Sequence, residues 1–224
     1  MLNFLIKDWY SNRPLVYLFL GVVVLNSALM LGDPIRPEEL IALHCLIATL
    51  LPLSFVSRED KFRSTRLICS LPLTRKAVTR YRYLSAWAYA STLGLFAAAL
   101  IGIALWMRSE LPRLLTPGVL LVGLTCISLA LAVFLPVVIR FGLWGLIIPL
   151  VILQVLGVVT MILVSVSSRR LNFSSLVVPV RAWLDTAYSE LGPPLYYLGW
   201  LALLVILNLV SCRFSEWLFA RREC

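Results

Sequence analysis

Charged residues are scarce in this chain of 224 residues, of which 14% are Asp, Glu, Lys or Arg and 61% are hydrophobic. Soluble domains carry about a quarter charged residues, so this composition excludes an ordinary soluble protein, and its apolar content excludes a disordered one. The five cysteines form no C-x-x-C pair and are odd in number, which indicates neither a disulfide framework nor a zinc site. We interpret them as small apolar packing residues.

Motifs of ATPases and membrane proteases are also missing from the sequence. A phosphate loop needs Lys followed by Ser or Thr after a glycine run, but Lys7, Lys61 and Lys76 precede Asp, Phe and Ala. His44 is the only histidine, which excludes an H-E-x-x-H zinc site, and no G-x-S-x-G run occurs. We therefore expect a chain that is not itself an enzyme and holds no cofactor.

Long apolar runs are what the sequence has in abundance. Six of them approach or exceed the roughly 20 residues that a membrane helix needs, at residues 15–31, 40–57, 83–107, 118–139, 141–166 and 194–212. We expect an all-α integral membrane protein, with six transmembrane helices in one domain over residues 1–224. Within the spans only His44 is ionisable, and a lone histidine is more typical of packing than of a proton path. The sequence therefore disfavours an ion-driven carrier.

Small residues and prolines within the spans bear on how the helices pack. A small residue recurs at every fourth position of the third span, at Ala86, Ala90, Gly94, Ala98 and Gly102. This pattern predicts close approach of a neighbouring helix, either from the same chain or from a second copy. The prolines inside spans are predicted to free backbone carbonyls and to produce kinks or hinges, and they are Pro52, Pro136 and Pro149.

The net charge of +9 is explained by membrane topology. If both termini are cytoplasmic, fourteen of the 20 Lys and Arg residues lie on the cytoplasmic side, and six outer ones are matched by six carboxylates. We therefore expect a multi-pass protein of a bacterial inner membrane, with both termini in the cytoplasm. Its basic side would contact anionic membrane lipid, and no nucleic acid is needed to explain the charge.

Two segments that flank the spans have amphipathic patterns. Residues 1–14 predict an interfacial helix with Trp9 and Tyr10 at headgroup level, although a frayed start is the alternative. Residues 167–193 form the longest outer loop, in which Pro179 can begin a helix and Gly192 can end it. We expect an outer amphipathic helix there, and a plain connecting loop is the alternative.

Residues 57–82 form the only sizeable cytoplasmic connection and contain eight basic residues. Ser57, with Asp60 three residues later, predicts the start of a helix that Pro72 stops. Thr74 predicts the cap of a second helix that begins at Arg75 and runs into the third span. We expect a hairpin of two helices that projects from the membrane.

The hairpin also carries a resemblance to a known family. Its informative runs are Glu59-Asp60-Lys61, Ser70-Leu71-Pro72-Leu73-Thr74-Arg75-Lys76 and Tyr81-Arg82-Tyr83-Leu84. They resemble the cytoplasmic loop of export-type (type-2) ABC transporter permease subunits. Residues 2–13 resemble the interfacial elbow helix of that family, and the six spans and the long last outer loop match as well, so the resemblance covers essentially the whole chain.

The resemblance implies the permease subunit of an ATP-driven exporter for a lipid-like, peptide or antibiotic molecule. Separate ABC ATPase subunits would bind ATP and Mg and dock on the coupling segment 57–82, and a second permease copy or a homologous permease would complete the pathway. The implied docking residues are Glu59, Asp60, Lys61, Phe62, Arg63, Arg66, Leu67, Leu71, Pro72, Arg75 and Lys76. The basic ones suit acidic groups of a partner, the apolar ones suit anchors, and Gln154 is a candidate polar contact for cargo.

Two functions of other classes stay open at this point. A secondary carrier would work without any ATPase, which the lack of carboxylates within the spans disfavours. A non-transporting assembly or sensor protein would recruit partners through the same hairpin.

Overall fold

The computed structural model describes residues 2–30, 37–61, 74–107, 116–148, 150–151, 154–155 and 174–221. Five helices make up most of these ranges, namely α1 Leu2–Met30, α2 Pro37–Lys61, α3 Arg75–Met107, α4 Pro117–Phe141 and α5 Ser174–Ala220. Residues 143–148 are helical too, and these described ranges contain no strand. The all-α prediction is therefore confirmed for this part of the chain.

The helices are long and apolar enough for a multi-pass membrane protein. Four stretches reach the length and composition of a membrane span, namely Glu39–Arg58, Arg75–Ile103, Pro117–Phe141 and Gly192–Ala220, and the apolar helix Asn12–Ala28 is shorter. They correspond to the predicted first, second, third, fourth and sixth spans. Most of the predicted fifth span, 141–166, lies outside the described residues, so the count of six stays a prediction.

The described residues form two compact units, one of Met1–Leu146 with Leu207–Cys224 and one of Ile147–Ile206. In the first unit α2 is the central helix, and it packs against α1, α3 and α4. Leu53, Leu131 and Leu135 are fully buried there. In the second unit, Tyr188 and Tyr196 make an edge-to-face contact with 5.3 Å between ring centroids.

The small residues of α3 pack within the chain. Ala86 and Ala90 are buried, and a Cβ on Gly94 would meet Ile127 Cδ1 at 3.5 Å and Cys45 Sγ at 3.7 Å. This places α3 close to both α2 and α4, which matches the intramolecular alternative for the small-residue pattern. Cys45 is a buried free thiol, as expected of an apolar packing residue.

The two helix starts predicted for the coupling segment have opposite outcomes. The start at Ser57 is wrong, because α2 continues through Ser57 to Lys61. The Ser57 hydroxyl is buried and donates to the Ser54 carbonyl at 2.9 Å within the same helix, instead of capping a new one. The start at Thr74 is confirmed, since the Ala77 amide donates to Thr74 Oγ1 at 3.3 Å.

Two helices contain breaks close to predicted boundaries. Asn12 has non-helical angles (φ −119°, ψ 15°) inside α1, at the predicted end of the interfacial segment 1–14, and Trp9 and Tyr10 before it are exposed. Gly192 breaks α5 with φ 73°, a value that favours glycine, so the predicted helix end at this residue is confirmed. The predicted start at Pro179 is wrong, because the helix begins five residues earlier at Ser174, where two serines supply the start signal.

Candidate functional site

Three helix ends, of α2, α3 and α5, and the break in α1 meet at one end of the first unit, which we call the basal end. Arg58 Nη1, near the end of α2, donates to Asn12 Oδ1 at the break in α1 across 3.3 Å. Arg75 Nη1, at the start of α3, donates to the carbonyl of Ala220 at the end of α5 across 3.0 Å. Arg58 and Arg75 both belong to the coupling segment 57–82, of which residues 62–73 lie outside the described residues.

Helices α3 and α5 are joined by a row of polar contacts that starts at the basal end, which we call the polar ladder. Each contact pairs a later residue of α3 with an earlier residue of α5, so the two helices run antiparallel in a fixed register. From the basal end inward, the contacts join Arg75 with Ala220, Arg80 with Glu216, Tyr83 with Ser215 and Ser211, and Trp87 with Asn208.

The second contact of the polar ladder is ionic. Arg80 Nε lies 2.7 Å from Glu216 Oε1, and Arg213 Nη1 lies 3.4 Å from Glu216 Oε2. The Glu216 side chain is 6% exposed whereas that of Arg80 is 55% exposed, so the carboxylate is shielded and the guanidinium still reaches water. A shielded carboxylate needs such partners, because losing its water without them is costly. Glu216 therefore ties the end of α5 to α3.

A chain of three hydroxyl groups forms the third contact and extends it to α4. Ser211 Oγ donates to the Ala132 carbonyl at 2.6 Å, which uses its only proton. Tyr83 OH, 2.7 Å away, must therefore donate to Ser211 and accept from Ser215 Oγ at 2.8 Å. All three hydroxyl groups consequently point along one direction, from Ser215 to the carbonyl of α4.

The Ala132 carbonyl is available because of the proline one turn later. In an α-helix the carbonyl of residue 132 accepts from the amide of residue 136, which is Pro136 and has no N–H. The sequence predicted a freed carbonyl at this proline. The hydroxyl of Ser211 satisfies it from α5, so a defect in one helix becomes a binding point for another.

The fourth contact again links three helices. Trp87 Nε1 of α3 donates to Asn208 Oδ1 of α5 at 3.2 Å, and Asn208 Nδ2 donates to Ser128 Oγ of α4 at 2.7 Å. Ser128 and Ala132 are one turn apart on α4, and they contact Asn208 and Ser211 in the same order, so α4 runs parallel to α5. These groups lie in an apolar bundle, where no water is available to pair with them. Each hydrogen bond therefore satisfies a polar group that would otherwise be left without a partner.

The predicted docking residues are only partly within the described structure. Glu59, Asp60 and Lys61 belong to the last turn of α2, and residues 62–73, which include Phe62, Arg63, Arg66, Leu67, Leu71 and Pro72, lie outside the described ranges. Arg75 and Lys76 are exposed at the start of α3. Arg75 also contacts α5, a role that the sequence did not indicate. Gln154 is exposed and helical in the second unit.

His44, the only ionisable residue that the sequence placed within a span, is fully buried. Its Nδ1 lies 2.8 Å from the Leu40 carbonyl, and its Nε2 lies 2.9 Å from Ser27 Oγ. Because a carbonyl only accepts, Nδ1 carries a proton, and in the neutral ring Nε2 then accepts from Ser27. The Nδ1 contact lies within α2 and orients the ring, and the Nε2 contact joins α1 to α2, which agrees with the packing interpretation.

No group of three or more His, Cys, Asp or Glu side chains in the described ranges is arranged to hold a metal ion. What the described site does contain is a set of ionic and hydrogen-bonded contacts between helices.

Comparison with known proteins identifies the family. The family model described as "ABC-2 family transporter protein" matches residues 3–219, which is nearly the whole chain. No curated protein and no solved structure matches it significantly. The match confirms the resemblance found at the coupling segment, and with the apolar helices it makes the chain a multi-pass transmembrane permease. The chain belongs to the ABC-2 family of transporter proteins.

Proposed function

We propose that the chain is the transmembrane subunit of an ATP-driven exporter in a bacterial inner membrane. Family membership supports a role in membrane transport. In this proposal separate ABC ATPase subunits bind Mg-ATP and dock on the coupling segment 57–82. A second copy of the chain, or a homologous permease, completes the pathway, and both termini face the cytoplasm.

The observation that carries the proposal is that three helix ends and the break in α1 meet at the basal end, where the described parts of the coupling segment also lie. Since α2 ends at Lys61 and α3 begins at Arg75, a partner that displaces the residues between them pulls on two helices directly. Arg58 connects the same place to the break in α1, and Arg75 connects it to the end of α5. One movement of the coupling segment would therefore act on four helices.

The polar ladder supplies the route by which that movement reaches the interior of the bundle. Its contacts at Arg80, Tyr83 and Trp87 join α3 to α5 over about two helical turns. Helices transmit displacement along their axes because their backbone hydrogen bonds are local and strong. We expect α3 and α5 to move as a pair when the ATPase subunits bind and hydrolyse ATP.

The docking residues combine charge and apolar surface. Arg75 and Lys76 are exposed and would face acidic groups of the ATPase, while Phe62, Leu67 and Leu71 would supply apolar anchors. Arg75 would then serve two roles, because its guanidinium has several donors and one of them already binds Ala220.

The cargo assignment is carried by the family resemblance. A lipid-like, peptide or antibiotic molecule would pass between the two permeases, with Gln154 as a polar contact. An ion-driven carrier is the less favoured function, because both nitrogens of the buried His44 are engaged with Ser27 and Leu40. A proton relay needs a group that exchanges its proton along a path.

Co-purification from native membranes tests the docking assignment. The tagged chain should retain a subunit with a Walker A peptide and Mg-ATP hydrolysis, and the triple variant Glu59→Lys, Leu71→Asp and Arg75→Glu should lose both. Glu39→Lys is the matched control, because Glu39 is exposed at the start of the same helix α2, at the opposite end from Glu59.

Three results would contradict the proposal. The first is a triple variant that retains the ATPase with unchanged hydrolysis. The second is a Glu39→Lys variant that loses the ATPase to the same extent. The third is transport by the wild-type chain in proteoliposomes without any ATPase. An ATPase that is bound but whose nucleotide cycle changes nothing in the chain would favour the assembly or sensor protein. Size-exclusion chromatography of each variant establishes that the permease itself is intact.

A further inference from the structure

The face of α5 that points away from the polar ladder changes character towards the basal end. Val210, Phe214 and Trp217 are exposed by 62%, 52% and 49%, and Arg221 follows them as an exposed residue. Spacings of four and three residues place Val210, Phe214 and Trp217 on one face of the helix, and Arg221 follows four residues later, just past the helix end. We call these residues the outer stripe. It runs from aliphatic to aromatic to basic.

The last three residues of the outer stripe stack on one another in order. The rings of Phe214 and Trp217 are 5.9 Å apart and nearly parallel, at 19°. Arg221 Cζ lies 3.8 Å above the Trp217 ring, which is a cation–π arrangement. The guanidinium is thereby held in place at the surface, and because the ring face is not an acceptor atom, this contact does not use its N–H donors.

A second arginine–aromatic pair lies at the basal end, and its Arg13 is half-buried whereas Arg221 is exposed. Arg13 Cζ is 3.9 Å from the centre of the Tyr10 ring, and Tyr10 is 62% exposed. Asn12, between them in sequence, contacts Arg58 near the end of α2, so this pair belongs to the same end of the bundle as Arg221. Two stacked aromatic and basic pairs therefore lie at one level of the protein.

The order of side chains in the outer stripe matches the order of chemistry across a membrane leaflet. Aliphatic residues suit the hydrocarbon, Trp and Tyr suit the interface, and Arg suits the headgroups. A guanidinium binds a phosphate through two parallel hydrogen bonds. In a zwitterionic headgroup the phosphate lies beside a positive charge of the same lipid, so an anionic headgroup is the better partner. Glu216, the closest described carboxylate in sequence, is turned towards Arg80 and does not neutralise Arg221.

We propose that the Trp217–Arg221 and Tyr10–Arg13 pairs bind the headgroups of anionic phospholipids, and so fix the basal end at the membrane surface. Binding requires only that the chain spans a bilayer, so it is independent of the docking of an ATPase. Each guanidinium meets a phosphate, while the ring beneath it lies against the glycerol and upper acyl region.

Native mass spectrometry of the purified full chain tests this, with dioleoylphosphatidylglycerol as the anionic probe and dioleoylphosphatidylcholine as the neutral one. Arg221→Gln should lower retention of phosphatidylglycerol about fivefold, as expected for one basic residue at a membrane surface. Trp217→Ala should lower it similarly, whereas Arg221→Lys and Trp217→Phe should keep most of it. Arg13→Gln should lower it independently.

Arg140→Gln is the matched control. Arg140 lies in the last turn of α4, which runs parallel to α5 and so ends on the basal side, and no described ring is stacked on it. This variant should change retention less than twofold. Equal losses from Arg140→Gln and Arg221→Gln, or equal retention of both lipids by the wild type, would overturn the proposal. Loss of a co-purified ATPase with lipid retention unchanged would show that the surface binds protein.

Discussion

Ser211 of α5 donates its hydroxyl proton to the carbonyl of Ala132 in α4 across 2.6 Å, and this is the carbonyl that Pro136 leaves without an amide donor. The contact ends a chain of hydroxyl groups that begins at Ser215 and passes through Tyr83 of α3. A single proline thus determines where three helices of the bundle are joined.

This relationship predicts an energetic coupling between Ser211 and Pro136. Ser211→Ala should lower the free energy of unfolding by about 1–3 kcal/mol, because it leaves a buried carbonyl unsatisfied. In the Pro136→Ala background the amide of residue 136 can satisfy that carbonyl, so the same change should cost about 1 kcal/mol less. Thermal and denaturant unfolding in detergent micelles measures all four proteins of the cycle.

Ser54→Ala is the control for the cycle, since the Ser54 hydroxyl donates only to the Leu50 carbonyl one turn back in its own helix. It should be close to neutral in both backgrounds. An equal cost of Ser211→Ala with and without Pro136 would show that the proline does not create the contact.

The ionic contact predicts an unequal pair of variants. Glu216→Gln removes the charge that both arginines approach, and it should cost about 1–2 kcal/mol, towards the low end for a charged hydrogen bond because Arg80 is half exposed. Arg213→Gln removes only the 3.4 Å contact of a largely exposed side chain, and it should cost less than about 1 kcal/mol. Unfolding temperatures of the two variants compare them. A larger loss from Arg213→Gln would contradict the assignment of Arg80 as the main partner.

Two glycines predict different tolerance to a methyl group. A Cβ on Gly123 would lie 3.0 Å from Ile41 Cγ2 and 3.2 Å from Cys45 Sγ, while one on Gly94 would make contacts of 3.5 and 3.7 Å. Gly123→Ala should therefore be less stable than Gly94→Ala by about 1–3 kcal/mol, the usual cost of overpacking. Both variants gain the same helix propensity, so their difference in unfolding free energy isolates the packing. Equal stability would show that α2 and α4 can separate freely at this point.

The polar ladder predicts a variant that binds its ATPase without responding fully to it. Tyr83→Phe removes the hydroxyl between Ser211 and Ser215 and leaves the coupling segment unaltered. We expect the ATPase to co-purify at the wild-type level. The change that Mg-ATP causes in the hydrogen–deuterium exchange of α5 should be smaller than in the wild type. Tyr17→Phe is the control, because Tyr17 is 63% exposed on α1. Loss of the ATPase in Tyr83→Phe would mean that this hydroxyl supports docking instead.

Local signals in the sequence predicted several features correctly. The apolar runs predicted the helices α2 to α4 and the last part of α5, since the length needed to cross a bilayer is a local property. Thr74 and Gly192 were correct because a cap and a positive φ depend on one residue and its immediate neighbours. The helix start predicted at Ser57 was wrong because the local signal is ambiguous. A serine inside a helix can donate to the carbonyl of its own preceding turn instead of capping a new helix.

The polar ladder was missed because it joins residues more than 120 positions apart. Pairing of two helices depends on their register, which no local pattern supplies. A signal was nevertheless present, since Asn208, Ser211 and Ser215 recur at intervals of three and four residues on a mostly apolar helix. Such a polar row is typical of a face turned away from lipid. It predicts a partner helix without saying which one.

Hydrogen–deuterium exchange of the permease, alone and with its ATPase subunits, tests the central claim most directly. We predict that the ATPase protects residues 57–82, and that Mg-ATP with vanadate then changes exchange in residues 75–88 and 207–220 together. The isolated chain should show no response to Mg-ATP. An unprotected coupling segment in the complex, or a response of the isolated chain to nucleotide, would contradict a permease that is driven from outside.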